Sequence, residues 1–249
     1  MINKIIHYIW VGDTPMNETV KGYVAQWKKV LGSEWKFMFW NEQNLDIDKY
    51  PFTKYHYQRK NWAFISDYMR VYVVNKHGGF YLDVDVELKK TLNPYVKYDG
   101  VFSRLLAINL TASTFGGKAN DPIFKRYLEI YENEWIIKNQ PKIISADILA
   151  FVLREKMAWP DNWDTFIKNN YIILDEKFLQ VDIDAESVAI HKHHMNWKNK
   201  NAYPKSSKFY YYKQSSYRDP EVKNKMIKYV SDRRKYITQL IIEKKEKPY

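Results

Sequence analysis

The chain has no cysteine among its 249 residues. This absence excludes disulfides, thiol nucleophiles and thiolate-bound metals, and it fits a reducing cytoplasm. No run of apolar residues approaches the ~18 to 20 positions of a membrane span. The N-terminal stretch MINKIIHYIWVGD contains no small-residue cleavage site. We therefore expect a cytoplasmic protein whose first segment is a buried strand rather than a signal peptide.

The sequence also has no internal repeat and no linker that would clearly divide it. Its length and its 45% hydrophobic content fit one large α/β domain with a substantial core. We predict a main domain over residues 1–218 and a basic helical tail over residues 219–249. The net charge of +11 indicates an anionic partner, which could be a nucleotide, a phospholipid surface or a nucleic acid.

Hydrophobic periodicity predicts alternating strands and helices. Lys4 to Val11 is an almost continuous apolar run, Glu18 to Leu31 has helical spacing, and Trp35 to Trp40 alternates. A strand, a helix and a strand in this order predict a parallel sheet. Later strands are expected at Val101–Arg104, Leu110–Phe115, Ile172–Leu174 and Val188–His191, and later helices from Asp121 to about Asn133 and from Ser145. The fold class is therefore α/β, with a mixed, mostly parallel sheet flanked by helices.

The segment from Trp62 to Leu88 concentrates the polar chemistry. It predicts a helix to Lys76, a stop at Gly78 and Gly79, and then an alternating strand. Three carboxylates, at Asp83, Asp85 and Glu87, would share one face of that strand with Tyr81, so this face is either solvated or occupied by a cation. Asp67 and Arg70 form a polar i, i+3 pair on the otherwise mostly apolar helix.

The stretch SDYMRVYVVNKHGGFYLDVDVE resembles the signature of glycosyltransferase family 32, whose members carry an Asp-x-Asp motif. The resemblance implies a GT-A-type, Rossmann-like nucleotide-sugar-binding fold and a Mn²⁺ or Mg²⁺ cofactor. It implies that Asp85 binds the metal, and that Asp83 contacts ribose or sugar hydroxyls and reaches the metal directly or through water. Asp67 and Arg70 would hold the donor sugar, with Arg70 also neutralising charge near the diphosphate.

Two other segments extend this resemblance. IIHYIWVG resembles the opening strand of the family and of the large clostridial glucosylating toxins, in which the residue equivalent to Trp10 stacks on uracil. In AIHKHHMNWK, His191 precedes Trp197 by six residues, as in family members that close their site with a histidine and a Ser-Trp. Here Asn196 replaces that serine. The resemblance implies His191, or else His194, as a metal ligand and Trp197 as a cover for the phosphates. From the residues alone, a core tryptophan and surface histidines remain alternatives.

The function that the resemblance implies is retaining transfer of a hexose from a nucleotide-sugar donor. The donor would be a UDP-hexose such as UDP-Gal or UDP-Glc. The saccharide acceptor would be lipid-linked, as in the synthesis of bacterial capsule, lipopolysaccharide or cell-wall polymers. A haloacid-dehalogenase-like phosphohydrolase is one alternative, because it also places Asp-x-Asp at a strand end. A basic nucleic-acid-binding protein is another, although we expect no nucleic acid partner.

The tail from Asp219 to Tyr249 combines many lysines with an apolar helical stripe. A helix of this kind could lie on an anionic membrane surface, apolar face inward, on the inner face of the cell membrane. Alternatively, the stripe packs on the main domain and the lysines are solvated.

Overall fold

The computed structural model describes residues 1–106, 109–133, 145–159, 164–175, 178–180, 187–192 and 220–245. Its helices are α1 (Glu18–Leu31), α2 (Pro51–Tyr57), α3 (Trp62–His77), α4 (Pro122–Tyr131), α5 (Ser145–Met157) and α6 (Pro220–Lys245). Its strands are β1 (Ile5–Ile9), β2 (Lys36–Trp40), β3 (Gly79–Leu82), β4 (Val86–Leu88), β5 (Gly100–Leu106), β6 (Asn109–Leu110), β7 (Thr114–Gly117), β8 (Phe166–Lys168), β9 (Tyr171–Leu174), β10 (Leu179–Gln180) and β11 (Ala189–His191).

The main sheet is mixed and lies between two hydrophobic clusters. Its strand order is β2-β1-β3-β7-β5-β9-β8, with β6 paired to β5. Strand β1 is parallel to β2 and β3, and β5 is parallel to β9, whereas β7 is antiparallel to both β3 and β5. One cluster contains the apolar faces of α3, α4 and α5, and the other contains that of α1. The α/β class is confirmed, with more antiparallel pairing than we predicted.

Three helix ends lie at residues whose conformational preferences suit a helix terminus. Helix α1 spans Glu18 to Leu31, as predicted, and the Asn17 side chain accepts a hydrogen bond from the Val20 N–H at its start. Asp121 accepts in the same way from the Ile123 N–H, 2.9 Å away, at the start of α4. Helix α3 ends before Gly78, whose φ of +64° favours glycine.

Two strand predictions are wrong in detail. The expected strand Leu110–Phe115 is two strands, β6 and β7, and β7 continues beyond the predicted end through Gly116 and Gly117. The reason is packing, because a Cβ on Gly116 would lie 2.5 Å from the Phe80 ring and one on Gly117 would lie 2.2 Å from Phe124. The glycines therefore admit aromatic rings against the strand.

The acidic strand expected from Phe80 to Leu88 is also two strands, in different sheets. Strand β3 ends at Leu82, and β4 begins at Val86 in a three-stranded sheet ordered β10-β11-β4. Between them the Val86 N–H donates to the Asp83 carbonyl at 3.0 Å, which closes a turn. Glu87 is consequently not aligned with Asp83 and Asp85, and its carboxylate instead binds Lys89 and Lys192, each at 2.6 Å.

The basic tail forms the long helix α6, and part of its apolar stripe faces the protein. Ile237 and Ile241 are buried in the same cluster as the core residues of α5. Tyr236 and Ile242 are exposed. No helix within the described residues combines the length and hydropathy needed to cross a membrane.

His7, on β1, is buried, and both of its ring nitrogens are hydrogen-bonded. Its Nδ1 accepts from the Trp40 indole N–H at 3.0 Å, so its Nε2 carries the proton and donates to the Gly78 carbonyl at 2.7 Å. Burial lowers the pKa of His7 to about 4, and burial also lowers the pKa of His56 to about 4. Both rings are therefore neutral in the folded protein at neutral pH.

This burial predicts acid destabilisation that begins well above the pKa values of ordinary carboxyl groups. Between pH 6.5 and pH 4 the unfolded chain protonates both histidines while the folded chain does not, so stability falls as the pH falls. Each histidine contributes about 1.4 kcal/mol per pH unit in the lower part of this window. Asp67, whose pKa is raised to about 6, offsets part of the loss. Urea unfolding at pH 7 and pH 5 should give the lower free energy at pH 5, and an equal or higher value would contradict this reasoning.

Candidate active site

The sequence-predicted residues that the structure describes lie around one edge of the main sheet. Trp10 directly follows β1, and Asp83 directly follows β3. Because β1 and β3 are parallel neighbours in register, with His7 opposite Tyr81, both residues lie at the carboxyl ends of their strands. In open α/β sheets this edge is where ligands bind.

Arg70 on α3 connects the helix to the acidic turn. Its guanidinium lies 3.1 Å from Asp67 Oδ1 and 3.4 Å from Asp83 Oδ1, and its side chain is largely buried. It also donates to the Ala112 carbonyl at 2.8 Å and to the Ser66 carbonyl at 3.1 Å. Arg70 is thus fixed between two carboxylates by its own hydrogen bonds.

Tyr81 is a site residue that the sequence-based assignment missed. Its hydroxyl donates to Asp83 Oδ1 at 2.6 Å and lies 3.2 Å from the Ser66 hydroxyl, and the Arg70 guanidinium lies over its ring. The available signal was alternation, because residues 81 and 83 share a strand face. Tyr81 and Arg70 together restrain the orientation of the Asp83 carboxylate.

Asp83, Asp85 and His191 form the one group of potential metal ligands among the described residues. Their ligand atoms all lie within 4.8 Å of one another, and His191 Nε2 is 3.1 Å from Asp85 Oδ1. Strand β11 brings the histidine here because it pairs antiparallel with β4, placing His191 opposite Val86. His194 and Trp197 lie outside the described residues.

The electrostatics of this group favour a bound cation. Asp67 and Asp83 pair with the one guanidinium of Arg70, and Asp85 adds a third carboxylate beside Asp83, which leaves two formal negative charges when all are ionised. Burial raises the pKa of Asp83, Arg70 opposes that shift, and the negative charge of Asp85 adds to it. Burial also raises the pKa of Asp67 to about 6, against the effect of Arg70. A divalent cation would offset both the burial of these carboxylates and the repulsion between them.

Trp10 is held at the rim of this edge by the loop that follows β1. Its indole N–H donates to the Thr14 carbonyl at 2.7 Å, and its ring is partly exposed. Gly12 has a φ of +115°, and a Cβ there would lie 2.9 Å from the Trp62 indole nitrogen. The Gly12 N–H donates to the Glu42 carboxylate at 2.6 Å. These contacts hold a planar aromatic surface beside the acidic turn.

Residues 17–101 match the family model described as the glycosyltransferase sugar-binding region containing a DXD motif. The matched range includes Asp67, Arg70, Asp83 and Asp85, and Asp83-Val84-Asp85 has the form of a DXD motif. This segment is therefore similar to the sugar-binding region of DXD glycosyltransferases, and the family resemblance seen in the sequence is confirmed.

Two curated relatives are similar to this chain. Inositol phosphoceramide mannosyltransferase 3 of Schizosaccharomyces pombe is 25% identical over 136 residues, which is 49% of this chain and 35% of that protein. An uncharacterized glycosyltransferase of Acanthamoeba polyphaga mimivirus is 22% identical over 190 residues, or 72% of this chain and 73% of that one. The chain thus spans about a third of the yeast relative and about three quarters of the viral one.

The fold is similar to that of a solved glycosyltransferase. The structure titled PaToxG Glycosyltransferase superimposes with a TM-score of 0.55 at 17% identity, covering 63% of this chain and 70% of that one. At this identity the likeness shows the fold alone. The chain has a GT-A-type, Rossmann-like fold with its DXD motif at the carboxyl edge of the sheet.

Proposed function

We propose that this protein is a metal-dependent, retaining glycosyltransferase that moves a hexose from a nucleoside diphosphate sugar to a saccharide acceptor. The observation that carries the proposal is the convergence of Asp83, Asp85 and His191 beside the buried pair of Asp67 and Arg70. The match of residues 17–101 to the DXD sugar-binding region supports the same conclusion.

The residues present fit a hard divalent cation. Two carboxylates and one imidazole suit Mn²⁺ or Mg²⁺ better than a soft metal, and the sequence has no cysteine to offer thiolate ligands. Asp85 and His191 would hold the ion, with Asp83 directly or through water. When bound, the metal stabilises the negative charge that develops on the leaving diphosphate.

The chain's other side chains would bind and orient the donor. Trp10 offers a partly exposed ring on which the base can stack. Asp67 and Asp83 would accept hydrogen bonds from sugar or ribose hydroxyls, and Arg70, which pairs with both carboxylates, would offset part of the negative charge of the diphosphate. Trp197 would cover the phosphates. We assign no covalent nucleophile and favour attack on the same face of the sugar from which the diphosphate leaves.

The donor and acceptor are the finer part of this proposal. The opening strand resembles that of the large clostridial glucosylating toxins, and this resemblance favours a UDP-hexose donor such as UDP-Gal or UDP-Glc. The yeast relative is named an inositol phosphoceramide mannosyltransferase, which supports a lipid-linked acceptor and adds mannose to the candidate sugars. A role in bacterial surface polysaccharide synthesis fits the same chemistry.

A donor-hydrolysis panel tests the activity. Purified protein incubated with UDP-glucose, UDP-galactose or GDP-mannose should release nucleoside diphosphate from one donor in Mn²⁺ or Mg²⁺ and not in excess EDTA. A phosphomonoester in the same buffer tests the phosphohydrolase alternative. The proposal fails if no donor is turned over, if EDTA has no effect, or if only the phosphomonoester releases phosphate.

We further propose that α6 attaches the enzyme to an anionic membrane surface by charge. Lys225, Lys228 and Lys235 are exposed along one face of the helix, and Ile242 is exposed on the same face. Because Ile237 and Ile241 pack inside the protein, the attachment would depend chiefly on lysines, each worth about 1 kcal/mol near such a surface.

Liposome sedimentation at low salt measures this attachment. We expect the protein to pellet with anionic vesicles and to stay in solution with neutral ones or at high salt. Replacing the three lysines with glutamine removes their positive charges. This change should reduce pelleting and leave the melting temperature unchanged. Full-length protein that stays in the supernatant with anionic vesicles would refute the proposal.

A further inference from the structure

Strand β4 directly follows the DXD turn, and within the part of the chain that the structure describes it is bonded to a strand on one edge only. On that edge, facing β11, the Lys192 N–H donates to the Asp85 carbonyl at 2.9 Å and the Lys89 N–H donates to the Val188 carbonyl at 2.8 Å. The order β10-β11-β4 makes β4 the outer strand of its sheet. The backbone groups of Val86 and Leu88 on the other edge therefore need partners from elsewhere.

Two side chains of α1 supply these partners. The Trp27 indole N–H donates to the Val86 carbonyl at 2.7 Å. The Gln26 amide bonds to both backbone groups of Leu88, accepting from its N–H at 3.2 Å and donating to its carbonyl. A glutamine amide has the donor and acceptor of a peptide group, so it can replace a strand residue. Helix α1 thus occupies the position of the missing neighbouring strand.

These bonds lie next to the metal-ligand group. The carbonyl that Trp27 binds belongs to Val86, one residue after Asp85, and Val86 lies opposite His191 in the β4–β11 pair. The position of β4 between α1 and β11 therefore determines the distance between the Asp85 carboxylate and the His191 imidazole. The α1 contacts fix one side of this arrangement, and the β11 ladder fixes the other.

We propose that Gln26 and Trp27 are positioning residues for the metal group, acting through the β4 backbone. The inference rests on the proposed metal dependence. It predicts that loss of these bonds lets β4 shift relative to β11, so the Asp83, Asp85 and His191 ligand atoms no longer converge and the ion is held less tightly. Partners that orient metal ligands typically change metal affinity by about 10- to 100-fold when they are mutated.

Trp35 provides a matched control for Trp27. Both tryptophans are buried in the same hydrophobic cluster. The Trp35 indole N–H, however, donates to the Asn93 side chain at 3.1 Å and has no bond to β4. Replacing either residue by phenylalanine removes one indole hydrogen bond and a similar volume from one core, so only the position of the lost bond differs.

The test is a titration of the purified full-length chain with Mn²⁺, with the free ion followed by electron paramagnetic resonance and the melting temperature measured alongside. We expect Trp27→Phe to weaken Mn²⁺ binding about tenfold. Trp35→Phe should lower the melting temperature comparably while its Mn²⁺ affinity stays within twofold of wild type. Gln26→Met, at a partly exposed position, should weaken binding in the same direction and serves if Trp27→Phe does not fold.

Equal Mn²⁺ affinity in wild type, Trp27→Phe and Gln26→Met would overturn the inference, whatever happens to stability. The same result would leave the proposed function intact, because the wild-type chain would still bind the ion. Failure of wild type to bind Mn²⁺ at all would instead refute the metal-dependent function, and the positioning role with it.

Discussion

Replacing Asp85 with asparagine should abolish sugar transfer while leaving the fold intact. The substitution keeps the shape of the side chain but removes an anionic ligand from the Asp83, Asp85 and His191 group. Loss of the metal would remove several kcal/mol of transition-state stabilisation, which corresponds to a fall of about a thousandfold or more in kcat. Donor hydrolysis at saturating Mn²⁺ measures this effect.

Glu87→Gln is the control for Asp85→Asn. Glu87 is two residues away, but its carboxylate binds Lys89 and Lys192 instead of joining the ligand group. Its loss should cost far less activity. Melting temperatures of both variants should stay near that of wild type. An Asp85→Asn protein that keeps full activity would refute the assignment of this carboxylate to the metal.

Replacing Arg70 with alanine should produce the second large effect, on both turnover and stability. The guanidinium pairs with Asp67 and Asp83, and in the proposed donor complex it would also offset part of the charge of the diphosphate. Loss of one charge-assisted hydrogen bond costs about 1.5 to 3 kcal/mol, or roughly tenfold to a hundredfold in rate. The melting temperature should also fall, because two buried carboxylates lose their partner.

Arg70→Lys separates the two effects. It keeps a positive charge near Asp67 but cannot make the bonds to the Ala112 and Ser66 carbonyls together. We expect it to recover part of the stability and little of the donor turnover. Turnover within twofold of wild type in Arg70→Ala would show that this helix face only supports the fold.

Local patterns in the sequence predicted most of the elements that build the site. The bounds of α1, the capping of α4 by Asp121 and the stop of α3 at Gly78 each depend on a few adjacent residues with strong conformational preferences. Asp67 and Arg70 were paired correctly because residues three apart on a helix are neighbours.

What the sequence did not reveal depends on contacts between distant segments. Alternation from Phe80 to Leu88 continues through the acidic turn, so it could not show that β4 joins β11 in a second sheet. The separation of Glu87 from the ligand group follows from that change. Gln26 looks like an ordinary polar residue of α1, since its bonding to Leu88 spans 62 positions of the chain. The role of Tyr81 was within reach, because alternation already placed it beside Asp83.

Anomalous X-ray scattering from crystals grown with Mn²⁺ and UDP would test the central claim most directly. The account predicts a manganese peak within bonding distance of Asp85 and His191, with the diphosphate on the ion and the uracil against Trp10. A peak elsewhere, or UDP bound away from the carboxyl edge of the main sheet, would contradict it.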